Sequence, residues 1–133
     1  MAFTDHLEVA LLNHVFRASS YSAPGTLYVA LHTAVPVDAG TGQEQTETAA
    51  GYARQDVAAG TSTWNISDSE VSNAAVIEFA TDGGAWATTV AMSIFDALTT
   101  GNMLMFDAFD SSVTLADGDT GRFAIGAITV TLE

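Results

Sequence analysis

The hydrophobic period of this chain changes once, near Gly25, from 3.6 to 2, and no helical stretch returns after that point. Parallel strands need long crossovers, usually helices. A chain whose strands follow one another without intervening helices is therefore steered to an antiparallel architecture. Before the switch, Leu7, Leu11 and Val15 recur every four residues, with Leu12 and Phe16 widening the stripe. Thr4 or Asp5 can cap this segment, Asp5 and Glu8 suit the positive end of the helix dipole, and Arg17 suits the other end. The spacing predicts one helix over residues 4–17, stopped by the Ser-, Pro- and Gly-containing run that follows.

Past Gly25, Leu27, Val29 and Leu31 alternate with Tyr28, Ala30 and His32, which predicts a strand over 26–33. Shorter strands are expected at 51–57 and 62–66, and a stronger one within 71–80 centred on Val76 to Phe79. The Asp82-Gly83-Gly84 turn leads to a strand within 86–97, the turn at 99–102 to another at 103–109, and residues 112–115 pair nearby. At the C-terminal end Phe123 and Ile125 fall in one phase and Ile128, Val130 and Leu132 in the other, so a bulge at Gly126 is expected to bring them onto one face. The expected fold is mainly β: an antiparallel β-sandwich, jelly-roll-like, preceded by one helix, forming a single domain over 1–133. The polar run 34–50 is too long for an idle connection, so it is expected to be mobile or docked, and docking on a neighbouring chain is the reading adopted.

Composition removes several function classes. With 16 acidic residues, three Arg and no Lys, the net charge is −13. Arg17, Arg54 and Arg122 are too few and too scattered to neutralise phosphates, so neither nucleic acid nor an anionic membrane surface is an expected partner. No Cys is present, which excludes thiol catalysis and thiolate metal sites. No apolar run approaches the ~18 residues of a membrane span. The first residues lack the basic and apolar regions of a signal peptide, so synthesis in the cytoplasm is expected.

The search for chemistry returns little. His6 and His14 are eight apart, not the four of a helical ligand pair, and His32 lies on a strand opposite the Leu27, Val29, Leu31 face. Asp117-Gly118-Asp119 has two carboxylates, but the pair is also a common hairpin turn and lacks the further ligands of a calcium loop. Any of the sixteen acids could pair by chance, so a glycosidase reading carries no weight. Trp64, Trp86, Tyr21, Tyr28 and Tyr52 suit a glycan platform, but on strands they suit core or interface positions better. No catalytic, cofactor-binding or metal-ligating residue is assigned, and no enzyme activity or cofactor is expected.

The segment from Leu27 to Pro36 (LYVALHTAVP), then Ala39-Gly40-Thr41-Gly42 and Gly51-Tyr52-Ala53-Arg54-Gln55, resembles a family of small virion proteins of tailed bacteriophages. Ile77-Glu78-Phe79, Trp86 to Val90, Ile94 to Ala97, Gly118 to Phe123 and Gly126 to Leu132 are similar to that family's later segments. One departure is the complete lack of Lys, where relatives carry basic residues in their strands. The resemblance implies a virion component, with capsid decoration or cement as the leading reading and a tail-fibre-associated or receptor-binding component as the alternative. It implies the major capsid protein or other virion proteins as partners. A helix stripe broader than one sandwich can cover adds a homo-oligomer, a trimer ahead of a dimer. The candidate interface residues are Leu7, Leu11, Leu12, Val15 and Phe16 on the helix and Asp38, Glu44 and Glu47 in the long loop.

Overall fold

A computed structural model describes residues 1–132. Strand β1 (Ala2–Phe3) leads into helix α1 (Asp5–Phe16), then β2 (Thr26–His32), a 3-10 turn (Thr48–Ala50) and β3 (Gln55–Ala58). After these come β4 (Trp64–Ser67), β5 (Glu70–Asn73), β6 (Ile77–Ala80), β7 (Thr89–Phe95), β8 (Met103–Val113), β9 (Thr120–Phe123) and β10 (Thr129–Thr131). Every pairing is antiparallel. The large sheet has the order β1-β8-β7-β2-β3, and two smaller sheets have the orders β10-β5-β4 and β6-β9. The mainly β, antiparallel, sandwich-like fold with one N-terminal helix is the one expected.

The period-2 segments place the core. On one face of the large sheet Val29, Leu31, Met92 and Ile94 meet Trp64, Ile77, Phe79, Trp86 and Ile128 from the smaller sheets and their connections. Phe79 is its aromatic centre: Trp86 stands edge-on to it at 6.3 Å, Phe123 at 6.3 Å, and Tyr52 is edge-on to Trp86 at 5.3 Å. The Trp86 indole donates to the Ala50 carbonyl at 2.8 Å, which satisfies its one polar atom inside an apolar layer. Trp64, Trp86 and Tyr52 are thus core residues, and Tyr21 and Tyr28 are half-buried, so these five form no shared platform. The opposite face carries Ala30, Phe95 and Met103, with Tyr28 and Phe106 at its margin.

Three details differ from the sequence reading. The 71–80 segment is two strands, β5 and β6, in different sheets. Asn73, fully buried, ends the first: its amide donates to the Ala75 and Ala124 carbonyls at 2.8 Å and its oxygen accepts from the Ile128 N–H at 2.8 Å. Likewise β9 and β10 belong to different sheets, and Gly126, at φ +75°, sits in the turn between them rather than in a bulge. Strand β8 runs unbroken through 109–113, joining two segments expected to be separate.

Thr4 occupies the N-cap position of α1 with extended backbone, but its hydroxyl does not cap. It donates to the Met103 and Leu104 carbonyls, at 2.6 and 3.1 Å, and so pins the start of the helix to β8. Phe79→Ala removes the aromatic centre and should cost about 3–5 kcal/mol in urea unfolding. Ile66→Ala, at a residue 77% exposed, should stay within about 0.5 kcal/mol of wild type.

Candidate functional site

Two features lie outside the hydrophobic core. One is a buried polar cluster at the His32 end of β2. The other is an apolar surface along α1.

The cluster collects the LHT and GYARQ segments. Strand β2 delivers His32, the adjacent β7 delivers Ser93, and His32 Nε2 and Ser93 Oγ hydrogen-bond at 2.7 Å. Glu44 reaches the edge of β2 through an isolated bridge with His32. Arg54, just before β3, donates to Glu44 through Nε at 2.9 Å and Nη2 at 2.7 Å, a bidentate pair. Its Nη1 donates to the Ala97 and Thr100 carbonyls at 2.7 and 2.8 Å, and the guanidinium lies 3.5 Å from the centre of the Phe95 ring. The Tyr52 hydroxyl donates to Glu44 Oε1 at 2.9 Å and accepts from the Leu31 N–H at 3.1 Å. Gln45, buried beside it, donates to the Ala87 carbonyl at 2.7 Å.

This network docks the 34–50 loop on its own chain. The Thr33 N–H donates to the Gln43 carbonyl and the Gln45 N–H to the Leu31 carbonyl, both in β-like fashion. Within the loop, Gly40 takes φ +75°, and a Cβ on Gly42 would come within 3.0 Å of the Pro36 ring, which accounts for the glycines of the Ala-Gly-Thr-Gly segment.

Burial sets the protonation states. Burial first, then the Arg54 charge, lowers the His32 pKa to about 4 against the opposing pull of Glu44, so the imidazole is neutral at pH 7. Burial would raise the Glu44 pKa, but hydrogen bonds from Arg54 and Tyr52 and the Arg54 charge outweigh it and hold it below the ordinary carboxylate range. Burial drives the Tyr52 pKa upward, so its hydroxyl stays a donor.

A Ser–His contact with a nearby Glu invites comparison with a nucleophile, base and orienting acid. The geometry does not match that assignment. Ser93 and His32 are at most 1% exposed, so no substrate reaches them. Glu44 is committed to Arg54 and Tyr52, and His32 Nδ1 has no partner among the described residues. The cluster holds the loop to the sheet.

The residues expected at an interface separate into groups. Leu7 is buried against the body and Leu11 is half-buried, whereas Leu12, Val15 and Phe16 are 57%, 68% and 78% exposed. Val9, 56% exposed, extends the same apolar surface. Asp38 is exposed, and its carbonyl accepts from the Asp5 N–H at 2.8 Å. Glu47 is half-buried, and its carbonyl accepts from the Ala50 and Tyr52 N–H groups. Glu44 faces Arg54 within the chain. Sequence reasoning did not single out Arg54 as its partner. The signal lay in composition, since a chain with three cations and sixteen acids places one cation inside the GYARQ segment.

His6 and His14 are exposed on the helix, and the His14 ring accepts from the Tyr21 N–H at 3.2 Å. Asp117 and Asp119 accept backbone N–H groups of Gly84 and Ala116, the work of turn residues. No group of three metal-ligating side chains occurs among the described residues.

A family model described as podophage GP4 fiber I protein gp80 matches residues 2–131. The chain belongs to this family. No curated protein matches the chain. Membership makes it a small structural protein of a tailed-phage virion, located in the virion and associated with other virion proteins. The segments through which the phage-protein resemblance was read in the sequence, LHT and GYARQ, supply His32, Tyr52 and Arg54 of the buried cluster.

Removing Arg54 leaves Glu44 without its counter-charge in a largely buried site. Arg54→Ala should destabilise the fold by about 3–5 kcal/mol in urea titration, and Arg54→Lys, lacking the planar fork, should recover only part of it. His32 gives a pH dependence of known sign. Its folded pKa lies below the unfolded value, so between about 6.5 and 4 the unfolded chain binds a proton that the folded chain refuses. Stability should therefore fall on acidification across that window, by roughly 3 kcal/mol from this group. Glu44, held low, adds a further loss as the pH drops through its own depressed value. In denaturation measured at stepped pH, His32→Gln should flatten the slope between pH 6.5 and 4. An unchanged slope would show that His32 is not its source.

Proposed function

We propose that this protein is a non-enzymatic structural component of a phage fibre, folded as one domain over 1–133 and assembled with copies of itself and with other virion proteins. The observation that carries the reading is the match of residues 2–131 to a fibre-protein family. Two structural features support it. The reactive-looking side chains His32, Ser93, Glu44 and Arg54 are used to hold the fold together. The conspicuous unspent surface is apolar, along α1, as expected of an assembly contact. The acidity suits a protein that stays clear of packaged nucleic acid, and it limits unspecific association.

The same features also suit a capsid decoration or cement protein. The family's fibre description favours the tail side. Particles carrying the protein with a small epitope tag inserted after Gly118, in an exposed turn away from the groove residues, distinguish the two readings. Antibody-gold label should gather at the fibre-bearing end of the particle, and loss of the protein should reduce adsorption to cells while leaving the heat stability of the head unchanged. Label spread over the head lattice, with reduced head stability and normal adsorption, would replace the fibre role by capsid decoration.

A further inference from the structure

We propose that copies of this chain join by seating the exposed C-terminal half of α1 from one copy in an apolar groove between the large sheet and the β10-β5-β4 sheet of the next. This inference rests on the self-assembly part of the reading above and is independent of where in the virion the protein sits.

The groove encloses about 670 Å³ and is lined chiefly by Leu27, Trp64, Ile66, Val71, Met105 and Leu132. It is where the sandwich stays open. Ile66 and Leu132, on the β4 and β10 sides, remain 77% and 58% exposed beside a core that is otherwise closed. No charged side chain lines it among the described residues, on a chain that carries 16 acids. Between its lining residues Ile66 and Val71 the chain turns through Asp68 and Glu70, both exposed, which puts acid beside it.

The helix is the complement. From Val9 to Arg17 it carries no acid, presents Val9, Leu12, Val15 and Phe16 outward, and ends in Arg17, one of three arginines in the chain. A chain of net charge −13 repels its own copies, so contact between them is favoured where both surfaces are free of acid, with a cation meeting the acid beside the groove. Arg54 is consumed in the buried cluster and Arg122 pairs with Glu78 across β6 and β9 at 2.5 Å. Arg17 is exposed and makes no ion pair among the described residues.

An apolar helix end supplies the side chains that such a groove would cover. The helix cannot enter its own groove while Thr4 fixes its start to the Met103 and Leu104 carbonyls and Leu7 is buried against the body. The contact is between two different patches, so one-way passing builds a ring where the rotation closes and a filament where it does not, and reciprocal exchange closes a dimer.

The absence of Cys makes a direct test available. Phe16→Cys and Ile66→Cys, each at an exposed position, are purified separately, checked for unchanged circular dichroism, mixed in equal amounts and oxidised. The expected product links position 16 to position 66, identified by peptide mass, with little dimer from either variant alone. Predominant 16–16 linkage would mean helix-to-helix pairing and would overturn the proposal, as would predominant 66–66 linkage or no linkage. In sedimentation of the Cys-free chain, Phe16→Asp should weaken association by ~10-fold or more while Phe16→Leu retains most of it. An oligomer undisturbed by Phe16→Asp, or a wild type that remains monomeric at all concentrations, would equally refute it. The tagged-particle experiment decides fibre against head without bearing on these outcomes.

Discussion

The bidentate pairing of Arg54 with Glu44 is the interaction on which the layout of one whole face depends. A guanidinium buried under a loop needs a carboxylate, further acceptors and a surface to lie on. Glu44, the Ala97 and Thr100 carbonyls and the Phe95 ring meet those needs from two separate stretches of chain. One side chain thereby ties the 34–50 loop, the entry to β3 and the turn after β7 to the middle of the large sheet. Tyr52 repeats the device two residues earlier, bonding both Glu44 and the backbone of β2. The long polar run is therefore ordered by its own chain, through groups that composition makes scarce.

That arrangement divides the residues in an unusual way. His32, Ser93, Glu44 and Arg54, the side chains that could have done chemistry, are turned inward and bonded to one another or to the backbone. Several large apolar groups, Leu12, Val15, Phe16, Ile66 and Leu132 among them, are left outside. In a chain so acidic, apolar surface is an assembly resource, because the acids around it discourage unspecific contact and restrict association to surfaces without them. Such a distribution is suited to a part that must fold alone and then fit into a virion.

Much of the fold was legible because its signal is local. The Leu27, Val29, Leu31 alternation marked out the face of β2 that packs in the core before any tertiary information. The helix was legible for the same reason, within one residue at each end. The breaks within 71–80 and 122–132 were not, because nothing in an alternating pattern reports that a strand changes sheets. The side chain that makes the first break possible, Asn73, does so by bonding backbone groups more than fifty residues away. The candidate surface was legible in part. The helix stripe was visible as periodicity, but which edge of it the body would bury, Leu7 rather than Phe16, depends on how Thr4 and β8 set the angle of the helix.

The sequence by itself determined the class of this protein: a mainly β, antiparallel chain with one leading helix, strongly acidic and lacking thiols. Periodicity and composition are properties of the chain alone, and no partner is needed to read them. Only the tertiary structure decided that Glu44 belongs to Arg54, that His32 is sealed against Ser93, and that an apolar groove opens beside Trp64. The physical reason is distance along the chain. Burial, desolvation and pairing are set by neighbours that folding brings together from far apart, and a one-dimensional pattern carries no record of them.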